Sequence, residues 1–242
     1  MKAILTGHTR GLGAAIASEL LARGIAVMGL ARKRNADLEK IFSEKLVQAE
    51  LDLANTVAVE RWLAGDALAS FIAASKTVLL INNAGVVHPV GPLRSQDPGA
   101  IAGAVSLNVA IPLMLAAAVG KAAKGDKRIL HVSSGAARNA YPGWSVYCAT
   151  KAALDHHARA VALDNTPGVR ICSLAPGVID TDMQAEIRAT SLEQFPVRER
   201  FDALKREGNL TSPADCARRL VDFLLSERFG DVPVADLRDF AS

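Results

Sequence analysis

A doubly wound α/β fold, with helices on both faces of one parallel sheet of about seven strands, is predicted on three observations. Short β-branched runs alternate with longer Ala- and Leu-rich segments from one end of the chain to the other. Half of the 242 residues are hydrophobic and only 5% are aromatic, which suits helices packed closely on a buried parallel sheet. A glycine-rich turn directly follows the first run and opens into an Ala-rich segment. The alternation implies parallel pairing, because each right-handed crossover returns the chain to the same edge of the strand layer. At this length a single domain over residues 1–242 is expected.

Strands are expected over Lys2–Thr6, Ile25–Ala31, Val47–Leu51, Thr77–Asn82, Arg128–Ser133, Val169–Ala175 and Val232–Leu237. The first crossover carries Ala14, Ala17, Leu20 and Leu21 at helical spacing, and Val146–Leu163 reads as a helix. Two stretches break the rhythm. Gly85–Gly99, rich in Gly and Pro, reads as a loop, and Pro176–Leu210 is a long insertion with helical patches after the sixth strand. Loops at the carboxyl ends of strands surround the ligand crevice of such a sheet, so the second stretch is expected to form a substrate lid at about 176–210.

Composition excludes several classes. The 28 Lys+Arg against 25 Asp+Glu leave a net charge of +3 spread along the chain, without the basic stripe that nucleic-acid binding needs. Cys148, Cys172 and Cys216 are odd in number and widely spaced, so neither a disulfide framework nor a metal site is expected. The run Val109–Val119 contains Pro112 and falls short of the ~20 residues a membrane span needs. Ala3-Ile4-Leu5 is too short for a signal sequence, and a cytoplasmic protein is expected.

The turn reads Thr6-Gly7-His8-Thr9-Arg10-Gly11-Leu12-Gly13. Glycines there let the backbone approach a pyrophosphate, and the following helix N-terminus offers free N–H groups and a positive dipole end. The spacing is G-x-x-x-G-x-G rather than G-x-G-x-x-G, but its place between first strand and first helix points to a Rossmann-type dinucleotide site. Where NAD is preferred, an acid at the end of the second strand binds the ribose 2′-OH. Here that strand ends Leu30-Ala31-Arg32, and the next acid is Asp37. Arg32 and Arg10 suit a 2′-phosphate instead, so the expected cofactor is NADP(H).

Tyr147 and Lys151, four residues apart on the expected helix, share one face. A neighbouring ammonium favours the phenolate, which would bring Tyr147 toward acid/base work near neutral pH. Ser134 closes the fifth strand and is placed to hold the same substrate oxygen; Ser133 is expected to be structural, bonding backbone. Asn82-Asn83-Ala84-Gly85 ends the fourth strand with small residues that permit close approach of an adenine or ribose. Asn108, in a helical stretch that suits asparagine poorly, suggests a buried polar role.

Together these motifs resemble the short-chain dehydrogenases/reductases over essentially the whole chain. The matching residues are Thr6-Gly7-x-x-x-Gly11-x-Gly13, Asp52-Leu53, Asn82-Asn83-Ala84-Gly85, Asn108, Ser134, Tyr147-x-x-x-Lys151 and Pro176-Gly177. The resemblance implies Tyr147 as acid/base, Lys151 lowering its pKa and binding the nicotinamide ribose, Ser134 positioning the carbonyl, and Asn108 holding a water. It also implies that Asp52 meets the adenine and that Val178 and Thr181 contact the nicotinamide end. Ser133–Asn139, Gly143-Trp144-Ser145-x-Tyr147-Cys148, Pro176–Gln184 and the tail Asp236–Phe240 resemble the branch containing sepiapterin reductase and bacterial benzil reductase. That branch implies NADPH-dependent reduction of an aromatic or vicinal diketone, with a pterin ketone as the alternative and Asp239 as its anchor. Alcohol or sugar oxidation, and a nucleotide-sensing regulator on the same scaffold, are the other readings. A homodimer or homotetramer built on the helices carrying Asn108 and Tyr147 is implied as well.

Tyr141, Trp144, Met183, Ile187 and Phe195 fall where an apolar substrate wall would stand, although Ile187 and Phe195 equally suit plain core packing. His8 and His88, in loops, have a route to cofactor or substrate, whereas His156 and His157 suit solvent or an interface. Cys148 is expected to point away from the chemistry.

Overall fold

The structure, a computed structural model, describes residues 1–240. Seven strands form one sheet: β1 (Lys2–Thr6), β2 (Ala26–Ala31), β3 (Leu46–Glu50), β4 (Thr77–Asn82), β5 (Asp126–Val132), β6 (Val169–Ala175) and β7 (Val234–Asp236). Their order is β3-β2-β1-β4-β5-β6-β7, and every pair is parallel. Strand residues alternate between the two faces. Leu5, Leu79 and Ile81 pack with α1 (Gly11–Ala22) and α10 (Pro213–Leu225), whereas Ile4, Val78 and Leu80 pack with α3 (Thr56–Ala64), α4 (Ala67–Ile72) and α6 (Ile111–Ala122). Both faces are covered, which is why the central strands are apolar along their length.

Several helices start on signals visible in the sequence. Asn35 accepts from Leu38 N at the start of α2 (Ala36–Phe42), and Asn55 accepts from Ala58 N at the start of α3. Asp97 caps α5 (Pro98–Val105) and Ser212 caps α10, each with Pro in the first turn. So α5 begins inside the expected loop. It runs through one π-helical turn (Ser106–Ala110) into α6, giving a continuous helical run of 25 residues. β1, β4 and β6 have the expected bounds, and the ends of the other strands move by one or two residues. The seventh strand shrinks most, because Pro233 lacks the N–H a ladder needs and Leu237–Asp239 turns into a 3₁₀ helix. The stretch 176–210 holds α8 (Asp182–Ala189) and α9 (Arg198–Arg206), and α7 (Ser145–Leu163) matches the expected helix.

The strand order runs outward in opposite directions from β1 and β4, so a crevice opens between their carboxyl ends. Thr6 Oγ1 bridges that point, accepting from Asn83 N and Ala84 N at 2.9 Å each. The segments after β1, β2, β4, β5 and β6 all reach this one edge.

Candidate active site

The turn after β1 is built around close backbone contacts. A Cβ on Gly13 would stand 2.0 Å from Gly7 O, and Gly7 has φ +72 with Ala84 Cα 3.1 Å from its own would-be Cβ. The first turn of α1 has neither a side-chain cap nor an acidic residue, which leaves its leading N–H groups to an anion. Thr9 O accepts from Asn35 Nδ2, and Asn83 Nδ2 donates to Thr6 O and Gly7 O. Ala31 is buried at the end of β2, and Arg32 beyond it is exposed with no ion pair among the described residues. Arg10 instead pairs across the crevice with Asp182 at 2.9 Å and Glu186 at 3.9 Å, and Thr181 lies against Gly11. Leu12 and Leu53 are buried, whereas Asp52 is exposed and accepts from Ala54 N. A diphosphate-bearing dinucleotide fits this cradle.

The catalytic candidates converge beside it. Tyr147 and Lys151 lie on the buried side of α7, with Lys151 Nζ 5.7 Å from the Tyr147 ring centre and donating to Val132 O at 2.9 Å. Burial pushes the Tyr147 phenol up, with the Ser134 hydroxyl pulling the other way. Burial also brings Lys151 down to about 8, opposed by the Asp155 carboxylate. Tyr147 is therefore kept protonated. This is the reverse of the lowering expected from Lys151, because burial dominates. Asn108 is buried in the π turn; it exchanges bonds with Val86 N and O and donates to Thr150 Oγ1 at 3.1 Å. Gly85 leaves room for Asn108 and Lys151, its would-be Cβ lying 3.1 Å from Asn108 Oδ1 and 3.5 Å from Lys151 Nζ.

An aromatic wall closes the far side. Trp144 stacks on Phe195 with ring centres 4.4 Å apart and meets Tyr147 and Tyr141 edge-on at 5.2 and 5.5 Å. Met183, Ile187, Val87 and Val90 pack in the same cluster. Pro176, Gly177 and Val178 run from the end of β6 into α8, with Arg238 against Gly177. Asp239 is exposed in the tail; its neighbour Arg238 is held by Asp236 at 2.7 and 2.8 Å.

Three placements differ from the expected ones. His8 turns away from the crevice into the sheet: it is fully buried over Gly29, and its Nε2 bonds to Gln48 Oε1 at 2.7 Å. Only glycine leaves room there. His157 pairs with buried His131 at 3.1 Å rather than facing solvent, and Asn82 completes that row. Ser133 bonds a carboxylate, Asp155, not backbone. His131, Arg138, Asp155 and Ser173 escaped the sequence reading. Only a charge one turn past Lys151 on the buried face of α7 signalled any of them.

Comparisons with known proteins match this geometry. Residues 1–192 fit the model of the short chain dehydrogenase family. The chain is 35% identical to a benzil reductase ((S)-benzoin forming) of Bacillus cereus over 240 residues, covering 93% of this chain and 94% of the relative. It is 32% identical to a sepiapterin reductase of Meriones unguiculatus over 253 residues, covering 98% and 95%. A solved short-chain dehydrogenase/reductase from Burkholderia vietnamiensis superposes with a TM-score of 0.72 at 52% identity, covering 99% of this chain and 98% of that one. With its crevice, its glycine cradle and its Tyr147–Lys151 pair in that company, the chain belongs to the short-chain dehydrogenase family of nicotinamide-dependent oxidoreductases.

Proposed function

We propose that this protein is an NADPH-dependent carbonyl reductase acting on an aromatic or vicinal diketone. The observation that carries the reading is a buried Tyr147 phenol, kept protonated, between the Ser134 hydroxyl and Lys151 and under an aromatic wall. When bound, the nicotinamide supplies hydride to the carbonyl carbon. The chain does the rest. Ser134 donates a hydrogen bond to the carbonyl oxygen, Tyr147 delivers a proton as negative charge develops there, and the Lys151 ammonium stabilises the phenolate left behind. Trp144 and Met183 line the apolar side that takes an aryl group. Arg32, exposed and with no ion pair among the described residues, stands where a 2′-OH-binding acid would, and this supports NADP(H) over NAD(H). The lid over 176–210, a cytoplasmic location and a homo-oligomer belong to the same proposal.

Turnover of benzil and sepiapterin with NADPH, and with NADH as control, tests the reading. Tyr147→Phe is expected to abolish turnover while NADPH still binds; retained turnover sinks the mechanism. Arg32→Asp is expected to weaken NADPH about 10- to 100-fold and NADH little, since a charge-assisted pair contributes about 1.5–3 kcal/mol. Equal losses remove Arg32 from the phosphate site. The pterin reading rests on Asp239 standing in the tail beside Arg238; Asp239→Ala sparing benzil but not sepiapterin would support it.

A further inference from the structure

Asp155 lies one helical turn beyond Lys151 on α7 and is only 2% exposed. A carboxylate so far from water persists only when paired and fully hydrogen-bonded. Its Oδ1 accepts from the Ser133 hydroxyl at 2.7 Å and the Ser173 hydroxyl at 2.8 Å, and its Oδ2 accepts from Arg138 Nε at 3.1 Å. Arg138 also donates to Ala235 O at 2.9 Å. Two of these partners bracket the turn that carries Ser134. Within that turn Ser134 Oγ accepts from Ala136 N, while Ala137 N and Arg138 N donate back to Ser134 O and Gly135 O. One carboxylate thus grips both ends of the turn presenting Ser134 and stands a turn away from Lys151.

We infer that Asp155, with Arg138 as its counter-charge, is a positioning residue for the reaction: it fixes Ser134 against Tyr147 and holds Lys151 as a cation. The inference rests on the carbonyl-reductase reading. Around Lys151 stand Tyr147 and Asp155 on α7, His131 on β5 and the neutral amide of Asn108 in the π turn. His131 is neutral because burial brings it down to about 3. Asp155 is therefore the one carboxylate of the group, and its loss leaves burial unopposed on Lys151.

A plain bracing pair between α7 and the sheet would have the same contacts but no effect on proton equilibria. Asp155→Asn keeps an oxygen for the two serines and removes the charge; Arg138→Met keeps the charge and frees the far end of the Ser134 turn. In Asp155→Asn, kcat is expected to fall about 10- to 100-fold, as for a misplaced reacting group, and the alkaline limb of the pH profile to move to lower pH. Arg138→Met is expected to lower kcat without moving that limb downward. NMR titration of [15Nζ]lysine-labelled free protein, with Lys151→Met for assignment, reads the lysine directly and needs no turnover. The Lys151 midpoint should lie below wild type in Asp155→Asn and not in Arg138→Met. An unmoved midpoint and limb in Asp155→Asn, with only the melting temperature lowered, overturn the inference. Wild-type protein that turns over no carbonyl sinks the functional reading alone, and the midpoint still decides the role of Asp155. Should Asp155→Asn not fold, Ser133→Ala frees the near end of the turn: a kcat loss of about 10-fold with an unmoved limb supports the inference, and no loss overturns it.

Discussion

Single residues here carry costs that can be stated with signs. Gly13 is the tightest, since an added Cβ meets Gly7 O at 2.0 Å, a backbone atom fixed by the strand behind it. Gly13→Ala is expected to cost about 3 kcal/mol or more and to weaken cofactor binding, as thermal melting with and without NADPH will read. His131 sets an acid limit. Burial holds it at about 3 in the folded protein, while the unfolded chain titrates near the ordinary 6.5. As pH falls below 6.5 the unfolded state takes up the proton first, so stability drops by about 1.4 kcal/mol per unit, or about 2 kcal/mol by pH 5. His131→Gln keeps hydrogen-bonding groups toward Asn82 and His157 without titrating, and should flatten urea-melt stability between pH 6.5 and 4. An unchanged slope would mean that His131 does not set it. Lys151, at about 8, sets an alkaline limit of another kind: reduction should slow as pH rises past it.

At the scale of elements, what the sequence makes legible follows from whether the signal is local. The central strands and the Tyr147–Lys151 spacing depend on near neighbours, and the structure carries both as expected; the cap-and-proline starts at Asp97 and Ser212 are signals just as local, though the first falls inside a stretch expected to be loop. The short last strand depends on pairing with β6, and the burial of His8 depends on a glycine in β2 that leaves space for its ring. Neither dependence is visible along the chain. The same holds for Asp155, whose three partners come from 18 to 22 residues away or, in the case of Arg138, from a loop. The stretch 176–210 is the element most open to test. Its α8 is tied to the cofactor turn by the exposed Arg10–Asp182 pair, which contributes at most about 1 kcal/mol. The stretch is otherwise held by Ile187, Phe195 and Phe201 packed against Trp144, so a bound cofactor would add its contacts at the α8 end. NADPH at about 100 times its Kd is expected to slow proteolysis within 176–210 by 10-fold or more, followed by mass spectrometry of the fragments. Equal cleavage with and without NADPH would remove the lid from the proposal.

For the whole molecule, the remaining question is what covers the outer face of α5, the π turn and α7. A groove of about 440 Å³ runs there between Leu93, Ile101, Val105, Val109, Val146 and Ala149. Leu93 and Val105 are exposed, and only a third of the most apolar part of the 25-residue helical run is buried. By length and composition that run would suit a membrane, but Ile111, Leu115 and Val119 pack it onto the sheet as one side of the core. An exposed apolar face of this kind suits a protein contact, and the homo-oligomer proposed above is the occupant tested here. A second copy meeting it about a twofold axis would place α7 of each protomer near the same helix of its partner. Ala149 is exposed on α7, two residues from Tyr147 and facing the groove rather than the site. Ala149→Arg would bring two like charges into such an interface and desolvate both. We expect wild-type protein to sediment as a dimer or tetramer and Ala149→Arg as a monomer with unchanged far-UV circular dichroism. Because α7 carries Tyr147 and Lys151 on its other face, the monomer should also lose activity, through a helix left without its outer packing. A wild-type monomer, or an Ala149→Arg protein that keeps its mass, would leave this face to some other partner.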